Sequence, residues 1–157
     1  MRRSIGFAVV AAALAASTFT VAASVGSEDA PTIRLFDHDT SQANLDLGAK
    51  GASPGDQFVF AGDVFDRKGG TKLGRTAGYC MTVSASEVFC AHNFVLPGGQ
   101  IAIQSLFDSS ALFGGKTLRI PITGGTGIYR NARGDGTVQL PNQTDANFVL
   151  QLGAGGD

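Results

Sequence analysis

Residues 118–138 read LRIPITGGTGIYRNARGDGTV, and the parsing of this stretch decides the fold. Two short apolar runs meet at Gly124-Gly125-Thr126-Gly127, and a second turn signal, Gly134-Asp135-Gly136, follows one strand-length later. A glycine-rich loop can cradle a phosphate only where a helix opens directly behind it. Here the loop is followed by Ile128-Tyr129-Arg130-Asn131-Ala132-Arg133, a β-branched and aromatic run that stops at Gly134. The reading is strand, tight corner, strand. The glycines supply backbone angles that residues with a Cβ resist.

Working outward, helical periodicity is almost absent after residue 24, and short β-rich runs recur with turn residues between them. The expected strands are 33–36, 56–65, 75–83, 88–95, 100–107, 117–123, 128–133 and 146–152. Asp37-His38-Asp39-Thr40-Ser41 reads as the polar end of the first, and residues 42–54 as a long connection. Eight evenly spaced strands fit a closed up-and-down barrel or a sandwich, and closure removes both sheet edges. At this size a barrel is either filled by side chains or holds one small ligand.

The chain has 157 residues, enough for one domain with a real core. Met1-Arg2-Arg3, the apolar run Ile5 to Ala16 and the small residues Val21-Ala22-Ala23 have the layout of a secretory signal peptide. The expected organisation is a signal peptide at 1–23, a linker at 24–31, a barrel at 32–152 and a frayed tail at 153–157. Removal of Arg2 and Arg3 leaves ten basic against thirteen acidic side chains, near −3. That balance argues against nucleic acid, which calls for a basic face. A protein secreted, or periplasmic where the cell has an outer membrane, is expected, with no membrane association after cleavage.

The two cysteines, Cys80 and Cys90, flank a short Ser84-Ala85-Ser86 turn. A hairpin centred on Ala85 sets them opposite each other on one face. In an oxidising compartment the pair reads as a disulfide that adds about 2–3 kcal/mol. The alternative is a pair of metal ligands with His92 or His38, an incomplete set for a closed zinc site. No metal and no cofactor are expected.

The segment Ile122 to Gly134, with its ITGGTG-hydrophobic-Tyr-x-x-Ala-Arg-Gly pattern, resembles the C-terminal signature of the allene oxide cyclase and dirigent superfamily. The run from Gly62 to Asp66 followed by Leu73 to Cys80, and the turn Leu96-Pro97-Gly98-Gly99-Gln100-Ile101, extend the resemblance over about residues 32–152. It implies an eight-stranded antiparallel barrel, often trimeric, with a mostly apolar cavity open at one end. In that superfamily such cavities cyclise a fatty-acid epoxide, or orient reactive phenolic intermediates for stereoselective coupling. The plant cyclases carry a glutamate on the first strand. Here that strand reads Ile33-Arg34-Leu35-Phe36, with no acid before Asp37 and Asp39, so fatty-acid cyclase activity is not expected.

What the resemblance does imply is a small apolar or aromatic ligand, guided through cyclisation or coupling by a few polar groups. The alternative is a non-catalytic barrel that only binds or scaffolds. The residues of suitable type are Asp63, Tyr79 and Arg133 as catalytic candidates. Asp37, Phe60, Asn93, Gln104 and Tyr129 are the pocket candidates. Asp63 within an apolar strand would have a raised pKa if it faced inward. Arg133 would clamp an anionic group. His92 alternates with Cys90 and Phe94 and so shares the cysteines' face; it reads as a surface or inter-subunit histidine. Room for a ligand would come from Ala61, Gly62, Ala77, Gly78, Ala91 and Ala102 if they faced inward.

Overall fold

A computed structural model describes residues 31–153, so the expected signal peptide, most of the linker and the end of the tail lie outside the described residues. Eight strands follow in chain order: β1 (Thr32–Leu45), β2 (Gln57–Phe65), β3 (Lys72–Thr82), β4 (Glu87–Leu96), β5 (Gly99–Asp108), β6 (Leu118–Gly125), β7 (Gly134–Gln139) and β8 (Asp145–Leu152). Each pairs antiparallel with the next, and β8 returns to β1, which closes the barrel. One helical turn, α1 (Ser109–Phe113), is inserted between β5 and β6 and capped by the Asp108 carboxylate, which accepts the Ala111 N–H.

The glycine corner parses differently from the sequence reading. Residues 128–133 are not a strand. Gly127–Tyr129 forms a single 3₁₀ turn, and β7 begins only at Gly134. Gly127 adopts φ +60°, and a Cβ there would strike the Gly98 carbonyl, so the chain can fold back against the β4–β5 turn only as glycine. Tyr129 and Ala132 then pack onto the core instead of pairing in a ladder. The expected turn Gly134-Asp135-Gly136 is strand, lying against β8 so closely that a Cβ on Gly136 would meet the Val149 carbonyl.

The first strand is longer than its apolar residues suggest. It runs through the polar segment to Leu45, taking in part of the expected connection. Between Asp39 and Ser41 the register against β2 slips by one residue, a β-bulge at Thr40. Before the bulge Leu35, Asp37 and Asp39 face the lumen; after it Gln42 and Asn44 do.

The register divides the lumen into two halves. At one end Leu35, Val64, Phe94, Ile101, Ile122 and Leu150 fill the interior completely. At the other end, where β2 begins and β8 begins, the same inward positions carry Phe58, Phe60, Phe107 and Phe148 around open space. Cys80 and Cys90 are directly opposite on β3 and β4 and joined by a disulfide, Cα–Cα 4.0 Å. The bond takes up both sulfurs, which removes the reading of paired thiolate ligands. Of the small residues expected to make room, Gly62 and Gly78 face inward, but Ala61, Ala77, Ala91 and Ala102 alternate outward.

Candidate functional site

The open half of the barrel holds a cavity of about 280 Å³. Its walls are aromatic and aliphatic, with the disulfide on one side and Phe113 of α1 at the rim. A second hollow of about 370 Å³, bounded by the segment between β1 and β2, shares Asn44, Phe58, Cys80 and Phe113 with it and widens the mouth.

One rung of the sheet sets the geometry of the cavity floor. Phe60, Gly78, His92 and Ile103 stand side by side on β2 to β5. Because Gly78 has no side chain, the Phe60 ring lies over it and reaches His92, with ring centroids 5.0 Å apart; a Cβ on Gly78 would collide with that ring. Phe94 and Phe148 close on the imidazole from other sides, at 4.4 and 5.0 Å. His92 is thus buried in a cage of three phenylalanines at the junction of the packed and open halves.

Its polar edge is fully committed. The Thr76 hydroxyl donates to the Asn93 carbonyl at 3.1 Å, so its oxygen accepts from His92 Nε2, with which it is in close contact. Asp37 Oδ2 lies 3.3 Å from the same nitrogen. Two acceptors on one nitrogen place the proton of a neutral imidazole on Nε2 and leave Nδ1 as the basic position. Among the described residues no side chain or backbone group bonds Nδ1. The arrangement is not a nucleophilic triad. Thr76 has its hydroxyl proton spent on Asn93, and Asp37 sits on the nitrogen that Thr76 also uses rather than the far one.

Two rungs of β1 bring two carboxylates to the same face. Asp37 is buried behind the floor, against His92, and Asp39 lies nearer the mouth, on the cavity wall. The Oδ1 atom of each is buried without a hydrogen-bond partner. Gln42 Nε2 donates to Asp39 Oδ2 at 2.8 Å and to the Gln143 carbonyl at 2.6 Å, tying β1 to the β7–β8 segment across the mouth. Burial raises the Asp39 pKa to about 6; the Gln42 hydrogen bond opposes the rise, the charge of Asp37 adds to it, and His92 and His38 oppose it. Near neutrality Asp39 therefore exchanges its proton readily, the property a general acid or base requires.

Several of the sequence candidates stand elsewhere. Asp63 is on the outer face, paired with Lys72 at 2.7 Å, because Val64 takes the inward position beside it. Tyr79 also points outward, next to the inward Cys80, as does Asn93 next to His92. Arg133 is exposed in the turn before β7, with its guanidinium on the Ala132 carbonyl at 2.7 Å. Tyr129 belongs to the closed end, its hydroxyl 3.4 Å from the Pro97 carbonyl. Asp37 is buried behind the floor, where it contacts His92 but does not line the cavity, and Phe60 and Gln104 border the cavity. His92, Asp39 and Thr76 complete the polar set that sequence reasoning did not assemble. The signal for His92 was present: it alternates with Cys90, whose partner Cys80 is buried, so it had to face inward.

At the rim of the cavity, which Asn142 and Asp145 border, His38 Nδ1, Lys68 Nζ and Asn142 Nδ2 all reach the buried Asp145 carboxylate, at 2.8, 2.9 and 3.1 Å. Burial alone would raise this pKa, but the three donors together hold it down to about 2. This cluster is a strap from the β2–β3 loop across β1 to β8, separate from the cavity floor.

The model of the allene oxide cyclase barrel like domain matches residues 36–149. No curated protein sequence matches the chain. Among solved structures, a pyocyanin demethylase is 26% identical, with 78% of this chain and 100% of that one covered and a TM-score of 0.67. An exo-specific intermolecular Diels-Alderase, AbnU, is 14% identical over 78% of this chain and 96% of its own, TM-score 0.64. The pterocarpan synthase dirigent protein GePTS1 is 13% identical over 89% and 96%, TM-score 0.62. At those lower identities the likeness is one of fold.

Proposed function

The chain belongs to the allene oxide cyclase barrel-like family, and from that premise we propose that it binds a small, flat, largely apolar metabolite and guides its cyclisation or coupling by proton transfer. One observation carries the reading: Asp39 and His92, two groups able to exchange protons, stand on the wall of a single aromatic cavity closed at its far end. In this reading the phenylalanine walls hold the substrate flat and exclude water. Asp39 donates a proton to a carbonyl or ring nitrogen, and His92 Nδ1 accepts one. Asp37 and Thr76 position the imidazole. Such proton transfers contribute roughly 10²–10⁴-fold each, and shape supplies the rest.

A second reading is favoured by the likeness to the demethylase, which extends over all of that protein: dealkylation of an aromatic substrate of the pyocyanin kind, the methyl carbon leaving to water as methanol, or as formaldehyde when an added two-electron acceptor such as a quinone takes up the electrons. Pyocyanin is accordingly the first compound to test. Titration of the full chain, followed by ligand absorbance and by mass spectrometry of the products, distinguishes the readings. Loss of a methyl group supports dealkylation. Binding without conversion leaves cyclisation or coupling, to be pursued with conjugated polyenes and phenols. If no aromatic compound in such a series binds, the cavity reading fails.

Two further proposals follow from the sequence. The N-terminal segment directs export, and the barrel works outside the cytoplasm. The outward stripe of Ala61, Ala77, Tyr79, Ala91, Ala102 and Leu106 supports self-association, the trimer that the resemblance implies; a monomer in sedimentation at micromolar concentration rules it out.

A further inference from the structure

We infer that the cavity selects for positive charge, so that its ligand is a flat aromatic cation, a quaternised or protonated nitrogen heterocycle, seated with its charge against Asp39. The inference rests on the cavity being a ligand site, as proposed above, and adds the chemical class of the ligand.

Three observations converge on it. First, the acidic groups of the site have acceptor capacity to spare. An ionised carboxylate offers about four lone-pair positions, yet Oδ1 of Asp39, a residue of the cavity lining, is buried with no partner, and so is Oδ1 of Asp37, whose carboxylate stands behind the lining against His92. A buried acceptor left unpaired is unfavourable, and a positive charge seated against the Asp39 carboxylate offsets that cost through the low-dielectric wall. A carboxylate in the same place would set like charge against like.

Second, among the described residues the only basic groups acting on Asp39 are His92 and His38. Among the described residues that line the cavity or its outer hollow, no side chain is lysine or arginine. Lys72 is held by Asp63 on the outer face, Lys68 by Asp145, and Arg119 by Asp135. His92 is the one basic side chain on the lining, and its Nε2 is taken up by Thr76 and Asp37. The outer hollow adds Asp46 and Asp56. The backbone N–H groups of Ser53 and Leu47 donate to Asp56 and hold its carboxyl below the usual carboxylate range. The approach from solvent to floor therefore passes carboxylates of one sign, which attracts cations into a low-dielectric cleft.

Third, the walls suit a cation that is also flat. Phe58, Phe60, Phe107 and Phe148 border the space above the carboxylates. Ring faces carry negative quadrupole density and attract cations most strongly where water is excluded. A neutral aromatic gains the burial alone; an aromatic cation gains the burial, the ring faces and the carboxylate.

The test uses three probes of nearly equal shape on the full chain near pH 8: 10-methylacridinium, acridine and acridine-9-carboxylate, each followed by its own fluorescence. The expected order is cation, then neutral, then anion, with the cation bound at least about tenfold more tightly than acridine, the scale of one charge-assisted contact. Asp39→Asn is expected to bring the cation and neutral affinities within about threefold of each other. Asp37→Asn is expected to narrow the gap as well, and circular dichroism establishes that each variant is folded; Asp39, being only partly buried, keeps the test informative if the Asp37 variant does not fold. Equal binding of all three probes, or preference for the anion, overturns charge selection and leaves the cavity reading standing. An unchanged cation preference in the folded Asp39→Asn variant overturns the assignment to that carboxylate. Failure of all three probes to bind the parent protein sinks the cavity reading itself.

Discussion

His92 and Asp37 meet across the lumen of the barrel, Nε2 to Oδ2 at 3.3 Å, from strands β4 and β1 that are not hydrogen-bonded neighbours. A contact of this kind joins opposite walls. Removing one partner leaves the other buried and unpaired, which costs more than the contact itself contributes. His92→Phe is therefore expected to lower the unfolding free energy by about 2–3 kcal/mol. Adding Asp37→Asn to it is expected to restore at least about 1 kcal/mol. Urea denaturation of the four members of the cycle measures this. Strict additivity would mean that the two groups are neighbours without energetic consequence.

Acidity acts on this fold through two aspartates with opposite signs. Asp39 has a folded pKa of about 6 against an ordinary 3.8. The folded state thus binds its proton more tightly, and the group's contribution is most favourable below about pH 4 and declines as pH rises to about 6. Asp145, held at about 2, contributes stability above about pH 4 that is lost as pH falls toward 2. Asp39→Asn is expected to raise the Tm by a few degrees at pH 8 and to leave it unchanged at pH 4. The shift is small because Asp39 is half-buried and solvent screens its charge. Asp145→Asn is expected to lower the Tm at pH 7, with the difference from the parent shrinking toward pH 2. Thermal melts across this range decide both, and a Tm gap independent of pH would contradict the stated cause.

The disulfide closes a loop with a sequence separation of 10. The chain-entropy relation gives about 3 kcal/mol for a loop of this size. Cys80→Ala with Cys90→Ala is expected to lose about 2–3 kcal/mol in chemical denaturation. Both sulfurs also border the cavity, so the double variant is expected to weaken ligand binding while remaining folded. Retention of full affinity would show that this wall does not touch the ligand.

Gly78→Ala tests the floor. Its Cβ would drive into the Phe60 ring and the Ala91 carbonyl. The expected loss is about 1–3 kcal/mol, the range for overpacking a filled interior. Ligand affinity should fall with it, since Phe60 is displaced from His92. A variant of unchanged stability would show that Phe60 swings aside freely.

Asp63→Asn, Tyr79→Phe and Arg133→Ala serve as the contrast. All three side chains lie outside the cavity, so ligand affinity is expected to stay within about twofold and stability within about 0.5 kcal/mol, as for ordinary surface changes. A large loss of binding from any of them would return the site to the outer face.

The strand count and the hairpin disulfide were legible because alternation and turn residues report directly on a sheet. The facing of Asp63 was not. Period-two alternation says that Asp63 and Val64 face opposite ways, and only closure of the whole barrel decides which is inside. The polar length of β1 was read as a strand end because strands are recognised by apolar residues, and this one carries carboxylates into the lumen. Ile128 and Tyr129 looked like strand for the same reason: β-branched and aromatic residues favour pleated surfaces, but here Gly127 turns them onto the closed end of the core. The last two misreadings trace to side chains used for something other than a ladder, and only the polar length of β1 lies at the site.

The bulge at Thr40 acts as a frameshift in the strand. One extra residue changes which parity of β1 faces the lumen, so the chain presents Asp39, Gln42 and Asn44 at the mouth instead of Asp39, Ser41 and Ala43. Excising Thr40 would restore an uninterrupted ladder and leave Gln42 and Asn44 facing the lumen, whereas pairing Thr40 regularly would exchange those amide side chains for a hydroxyl and a methyl. The chemistry of the cavity entrance is thus encoded by the phase of a single strand, and the bulge sets that phase without touching a residue of the floor.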